Sequence, residues 1–278
     1  MRFFCLILNL QGCKITQQPP FCDLRSKCPP IYDQLQIGSC TANALTACYE
    51  FGDDSNSFSA SRLFLYYNER MLDDSIGEDA GSTLTQGINA LSKYGVCSEN
   101  LWPYIDDNVR FKTKPTDNCY EDAKIHKIIE YDNVEQSLTS MRQCLLDGFP
   151  FVLGILIYES FETNEVSKTG VVPLPDSSEQ CLGGHAVTCV GYDDIKKQFI
   201  MRNSWGTSWG DKGYFYIPYN YLMNAELTGD LWEIKKVMNS VPNEPIPDEP
   251  IPNDPKTNSE CKCLDKCIDK CIDKCIIQ

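Results

Sequence analysis

Between Pro242 and Pro255 the chain reads P-N-E-P-I-P-D-E-P-I-P-N-D-P, and no regular element survives such a run. Each proline fixes φ and removes a backbone donor, so neither a helix nor a central strand can pass through it. An extended polyproline spacer of roughly 40 Å is expected there, at about 3.1 Å per residue. The globular part must therefore end ahead of it, and the segment beyond is a separate object. Four units are expected: residues 1–21 as a leader or edge segment, 22–241 as the folded domain, 242–260 as the linker and 261–278 as a cysteine-rich tail.

Of the 278 residues, 42% are hydrophobic and 11% aromatic, enough to bury a core, and no apolar run reaches the eighteen or so residues of a membrane helix. With 39 acidic against 25 basic residues, the net charge of −14 repels phosphate backbones and excludes nucleic acid as an expected partner. Sixteen cysteines accompany only two histidines, so any histidine chemistry falls to His185 or His126. Met1 to Asn9 carries one positive charge and a short apolar stretch, the outline of a minimal secretion signal, but no A-x-A site follows it and an edge strand fits equally.

Ser39 to Phe51 has small or apolar residues on nearly every side behind a serine, the pattern of a helix buried all round. Arg62 to Arg70 and Thr83 to Lys93 read as further helices. Pro150 to Tyr158, Ala186 to Tyr192, Gln198 to Arg202 and Gly213 to Tyr219 are β-rich. A helical first half followed by a β second half implies an α+β architecture.

Four residues in three segments carry chemistry. Cys40 opens the buried helix, where unpaired N–H groups and the positive helix end favour a thiolate nucleophile. Gln34, six residues upstream in D-Q-L-Q-I-G-S-C, is an amide donor placed to share an oxyanion hole with the Cys40 N–H. His185, in C-L-G-G-H-A-V-T-C-V-G-Y, begins a β run and would be the base. Asn203, in M-R-N-S-W-G-T-S-W-G-D-K-G-Y, could orient the imidazole through its side-chain oxygen, with Trp205 shielding that bond from water. Taken singly, a buried cysteine, a lone histidine and an N-S-W turn all have ordinary structural explanations. Their order and spacing together favour catalysis. His126, in A-K-I-H-K-I-I-E, has no such partner and reads as structural, and the acidic stretch Asp73 to Asp79 fits no calcium loop.

From Asp23 to Trp232 the chain resembles the papain-like (C1) cysteine peptidases. N-S-W-G-x-x-W-G-x-x-G-Y and G-G-H-A-V carry the likeness, and the 145-residue interval from Cys40 to His185 lies in that family's range. The resemblance implies Gln34, Cys40, His185 and Asn203 as the catalytic set, with Trp205 and Trp209 packed behind them. It also implies a helical subdomain bearing Cys40 and a β-barrel-like subdomain bearing His185, with the active site between. Thr41 replaces the family's usual tryptophan after the nucleophile, and Ile37 replaces a usual cysteine, so one common disulfide is absent. The C-N-G-G substrate loop becomes E-D-A-G, which leaves Gly81 and Ser82 as candidates for binding the substrate backbone. By counting along the chain, Gly154, Gly184 and Ala186 would line the principal specificity pocket. Only 39 residues precede Cys40, too few for the long inhibitory prodomain of secreted relatives. With D-L-R, C-T-A-N-A and S-R-L-F-x-Y-Y-N-E-R, the chain looks like the short-leader bacterial and giant-virus members.

The expected activity is endopeptidase hydrolysis of protein or peptide substrates through an acyl-enzyme, with no metal and no cofactor. Acyl transfer to an amine by the same Cys–His chemistry is the alternative enzyme, and an inactive peptide-binding homologue the alternative without turnover, which an intact tetrad opposes. The domain is expected to act as a monomer. In the tail, Cys261 to Cys275 repeats C-L-D-K and C-I-D-K units and ends in C-I-I-Q, so Cys275 fits a prenylation motif that would associate the protein with membranes. A drifting repeat, metal binding or intermolecular disulfides through the tail cysteines account for the same residues.

Overall fold

The structure, a computed structural model, describes residues 18–53 and 58–238. The expected secretion signal, linker and tail lie outside the described residues. Among those described, no helix is long and apolar enough to cross a membrane.

Three helices form the first half: α1 (Cys40–Gly52), α2 (Arg62–Leu72) and α3 (Leu84–Lys93). The hydroxyl of Ser61 accepts the Phe64 N–H at the start of α2, and that of Thr83 accepts the Gln86 N–H at the start of α3, each satisfying a donor the helix cannot. Residues Thr41 to Tyr49 of α1 are all buried, as their composition suggests. Helix α3 crosses α1 and α2 at Gly87, where a Cβ would lie 2.1 Å from Leu45 Cδ1, so only glycine permits the approach.

The second half is an antiparallel sheet of seven strands. After α4 (Asp117–Ala123), β2 (Ile128–Asn133) and α5 (Leu138–Leu146) come β3 (Phe151–Tyr158), α6 (Asn164–Thr169) and β4 (Cys181–Asp193). The chain then continues through β5 (Gln198–Arg202), β6 (Tyr214–Pro218), α7 (Tyr219–Leu222) and β7 (Thr228–Val237). The strand order is β2-β7-β3-β4-β5-β6, and β1 (Phe21–Asp23) pairs with the far end of β4.

Strand periodicity divides β3 between two cores. Phe151, Leu153, Ile155 and Ile157 join Val187, Cys189, Phe199 and Phe215 inside the sheet half, whereas Val152 packs with Ala186, Leu45 and Tyr49 in the helical half. The central strands thus serve as a shared wall, and α1 lies against it, with the Thr188 hydroxyl donating to the Ala44 carbonyl at 3.3 Å. This contact places the start of α1 beside the start of β4. The fold is α+β, a helical half packed on an antiparallel half, in the arrangement that the resemblance implies. Cys97 and Cys119, near each other in the helical half, form no disulfide.

Candidate active site

Cys40 is the first residue of α1, at the positive end of a helix whose first turn holds no acidic side chain. Ser39 occupies the N-cap position but does not cap. Its hydroxyl accepts Asn43 Nδ2 at 3.0 Å and lies 2.8 Å from the Tyr104 hydroxyl, which itself donates to the Gln34 carbonyl at 2.6 Å. Tyr104 therefore ties the nucleophile's neighbour to the oxyanion-side loop.

Gln34 is held on three sides. Its N–H donates to the Ser204 carbonyl at 2.8 Å, its Oε1 accepts the Ser204 hydroxyl at 2.6 Å, and its Nε2 donates to the Ile37 carbonyl at 3.2 Å. Because Oε1 is occupied, the amide presents its nitrogen, the donor end, to the Cys40 side. The Gly206 N–H donates to the Tyr32 carbonyl at 3.0 Å, completing a clamp between the N-S-W-G turn and the Gln34 loop.

His185 lies in β4 opposite Ile155 of β3, and Asn203 follows the end of β5. Asn203 Oδ1 stands 2.8 Å from His185 Nε2 and also accepts the Ser204 N–H at 2.9 Å. An oxygen accepting both bonds assigns the proton to Nε2, leaving Nδ1 as the basic nitrogen. The Asn203 amide nitrogen is buried without a hydrogen-bond partner among the described residues, so the oxygen alone does the orienting. The Trp205 ring stacks on the imidazole at 4.8 Å, and Trp209 meets Trp205 edge-on at 5.0 Å. Burial pushes the His185 imidazole down to about 4, against the opposing Asn203 hydrogen bond. The ring is thus neutral at physiological pH unless a negative partner stands beside it.

One cleft of about 360 Å³ brings Gln34, Gly38, Cys40, Gly184, His185, Trp205 and Trp209 together. The other candidate binding residues do not line it. Gly81 takes φ +72° and donates its N–H to the Tyr66 hydroxyl at 3.1 Å, and Ser82 follows it. Gly154 pairs with Ala186 across β3 and β4, and Ala186 is buried toward α1.

Three contributors escaped the sequence reading. Asp79, in the acidic stretch that fits no calcium loop, accepts the Gly38 N–H at 3.0 Å and the Tyr66 hydroxyl at 2.5 Å, and so braces the turn before Cys40. Tyr104 carries no local pattern that marks it. Glu69 is fully buried and its Oε2 accepts the Thr41 hydroxyl at 2.6 Å, filling space behind the nucleophile. His126 stacks on Phe58 at 3.9 Å, in keeping with a structural role.

A helical half and an antiparallel half that meet with a cysteine on one wall and an amide-oriented histidine on the other make a thiol-dependent hydrolase. The model of the papain family of cysteine proteases matches residues 18–229, and the chain belongs to that family. It is 43% identical over 223 residues to an uncharacterized peptidase C1-like protein of Acanthamoeba polyphaga mimivirus, covering 76% of this chain and 71% of that one. The crystal structure of xylellain, a cysteine protease from Xylella fastidiosa, superposes with a TM-score of 0.75 at 42% identity, covering 80% of this chain and 87% of xylellain. Cysteine proteinase 2 of Entamoeba histolytica is 30% identical over 211 residues, 71% of this chain and 63% of that protein. The protein is a thiol protease, with proteins or peptides as substrates.

Proposed function

We propose that Cys40, His185, Asn203 and Gln34 carry out endopeptidase hydrolysis through an acyl-enzyme. His185 Nδ1 takes the Cys40 proton, and the sulfur attacks the scissile carbonyl carbon. The carbonyl oxygen gains the electron pair and is held by Gln34 Nε2 and the Cys40 N–H. As the tetrahedral species collapses, the C–N bond breaks and the imidazolium proton passes to the leaving amine. Water, deprotonated by His185, then releases the carboxylic acid and restores the thiol.

The observation that carries this reading is the 2.8 Å bond from His185 to Asn203 beneath Trp205, in a cleft that Cys40 also lines. Burial opposes a lone imidazolium, so the charged ring is stable only with the thiolate that gave up the proton. The proposed mechanism therefore forms the imidazolium and the thiolate together, as a pair. Replacing Cys40 by Ala abolishes turnover of a quenched peptide, and wild-type hydrolysis by that variant contradicts the assignment.

Of the candidate binding residues, Gly184, which lines the cleft beside His185, is proposed to contact the acyl side of the substrate. The domain acts as a monomer, and Cys275, outside the described residues, is proposed as a farnesylation site that associates it with membranes.

A further inference from the structure

The cleft that Cys40 and His185 line is also lined by Glu162, Asn164, Ser167, Trp205 and Trp209; with Trp205 stacked on His185 and Phe161 packed on Trp205, these residues form a wall on the histidine side. Because His185 gives its proton to the leaving amine, substrate residues after the scissile bond lie along this wall. Glu162 is the one carboxylate among the residues that line the cleft. Among the described residues, no hydrogen bond or ion pair engages it. Burial alone raises its pKa, as expected of a carboxylate partly withdrawn from water with no cation beside it.

Its position is fixed from both sides. The preceding residue, Phe161, is buried and wedged against Trp205 and Trp209, with ring centroids 5.7 Å from each. The following residue, Thr163, accepts the Val166 N–H at 3.3 Å and starts α6. The carboxylate therefore stands on a held backbone in a cleft that two indole rings also line, a setting that suits a cation with an apolar stem. The charges of the following helix α6, Glu165 and Lys168, do not line the cleft, whereas Glu162 does while keeping an exposed side.

We infer that Glu162 selects substrates bearing lysine or arginine one or two residues after the scissile bond. The inference rests on the peptidase reading, which sets the direction of the substrate along the cleft. It extends that reading from the bond broken to the chemistry of the amine-side product, a peptide with a basic residue at or next to its new N-terminus.

Binding to the Cys40→Ala protein tests it without relying on turnover. Two uncleaved peptides that differ only by arginine or glutamine after the scissile position are compared by titration. The arginine peptide is expected to bind about fivefold to tenfold more tightly at low salt, with the contrast narrowing at about 0.5 M salt. Adding Glu162→Gln should erase the contrast, and Glu162→Lys should reverse it. Equal affinities on Cys40→Ala, or a contrast that survives in the Glu162→Gln protein, overturn the inference. If the contrast holds while the wild-type protein fails to cleave either peptide, the catalytic assignment falls and Glu162 keeps its role.

Discussion

At the scale of single residues, Gln34 shows how much of an active site is spent on aiming one group. Ser204 takes the amide oxygen and the Ile37 carbonyl takes one amide hydrogen, which leaves the second hydrogen for the oxyanion in the proposed mechanism. That donor acts on charge that develops only in the transition state. Gln34→Ala should therefore lower kcat by about a hundredfold to a thousandfold with little change in KM. Steady-state kinetics on one peptide check it, and a rise in KM at constant kcat would instead make Gln34 a ground-state binder. Ser204 and Gly206 fit the same logic, since both belong to the N-S-W-G turn and both bond the Tyr32–Gln34 segment.

At the scale of elements, α1, α2 and α3 meet around a buried acid. Glu69 of α2 bonds Thr41 of α1 at 2.6 Å, and Gly87 of α3 leaves it room, since a Cβ there would stand 2.6 Å from its Oε1. Burial pushes its pKa up to about 8 from an ordinary value of 4.5, against the pull of the Thr41 hydrogen bond and Arg70. Between those two values the folded chain holds a proton that the unfolded chain has released. Stability must then fall as pH rises from about 4.5 toward 8, by an amount on the order of 5 kcal/mol from this group. Glu69→Gln removes the titration, so its thermal midpoint should gain on that of the wild type steadily from pH 5 to pH 8. A constant offset across that range would show that Glu69 does not titrate there.

The same elements show what a sequence can and cannot disclose. Helices α1 to α3 and strands β3 to β6 were legible because their apolar periodicity or β-branched runs are local and strong. Strand β7 was not, since Leu231 and Trp232 are adjacent and break the alternation. Strand β2 hides for another reason, having four of its six residues exposed at the sheet edge. Helix α5 lies in a half that otherwise reads as β, although Ser137 accepts the Ser140 N–H at its start. The residues proposed as the catalytic set could be picked out because they fall in short motifs, and the structure brings Gln34, Cys40 and His185 to one cleft with Asn203 bonded to His185. Asp79 and Tyr104 reach Gly38 and Gln34 across 41 and 70 positions of sequence, and no pattern in one chain reports a contact of that range.

For the whole molecule, the shared wall of β3 and β4 decides where the chemistry sits. It carries His185 at one end, supports α1 through Thr188 and Ala186, and so brings two subdomains with separate cores to one cleft. The Pro-rich segment and the cysteine-rich tail follow this body in sequence, and the proposal for Cys275 is tested by mass. In eukaryotic cells the intact protein should gain a farnesyl group at Cys275 and partition to membranes, while Cys275→Ser stays soluble. An unmodified chain ending at Gln278, recovered from such cells, would contradict it.

The account as a whole stands on Cys40 being the one activated thiol among 16 cysteines. Treatment with a thiol-directed epoxide, followed by peptide mapping, measures that directly. The expected result is a single adduct on Cys40, formed in step with the loss of peptide hydrolysis and suppressed when His185 is replaced by Ala. Complete loss of activity with Cys40 unmodified and another cysteine labelled would contradict it.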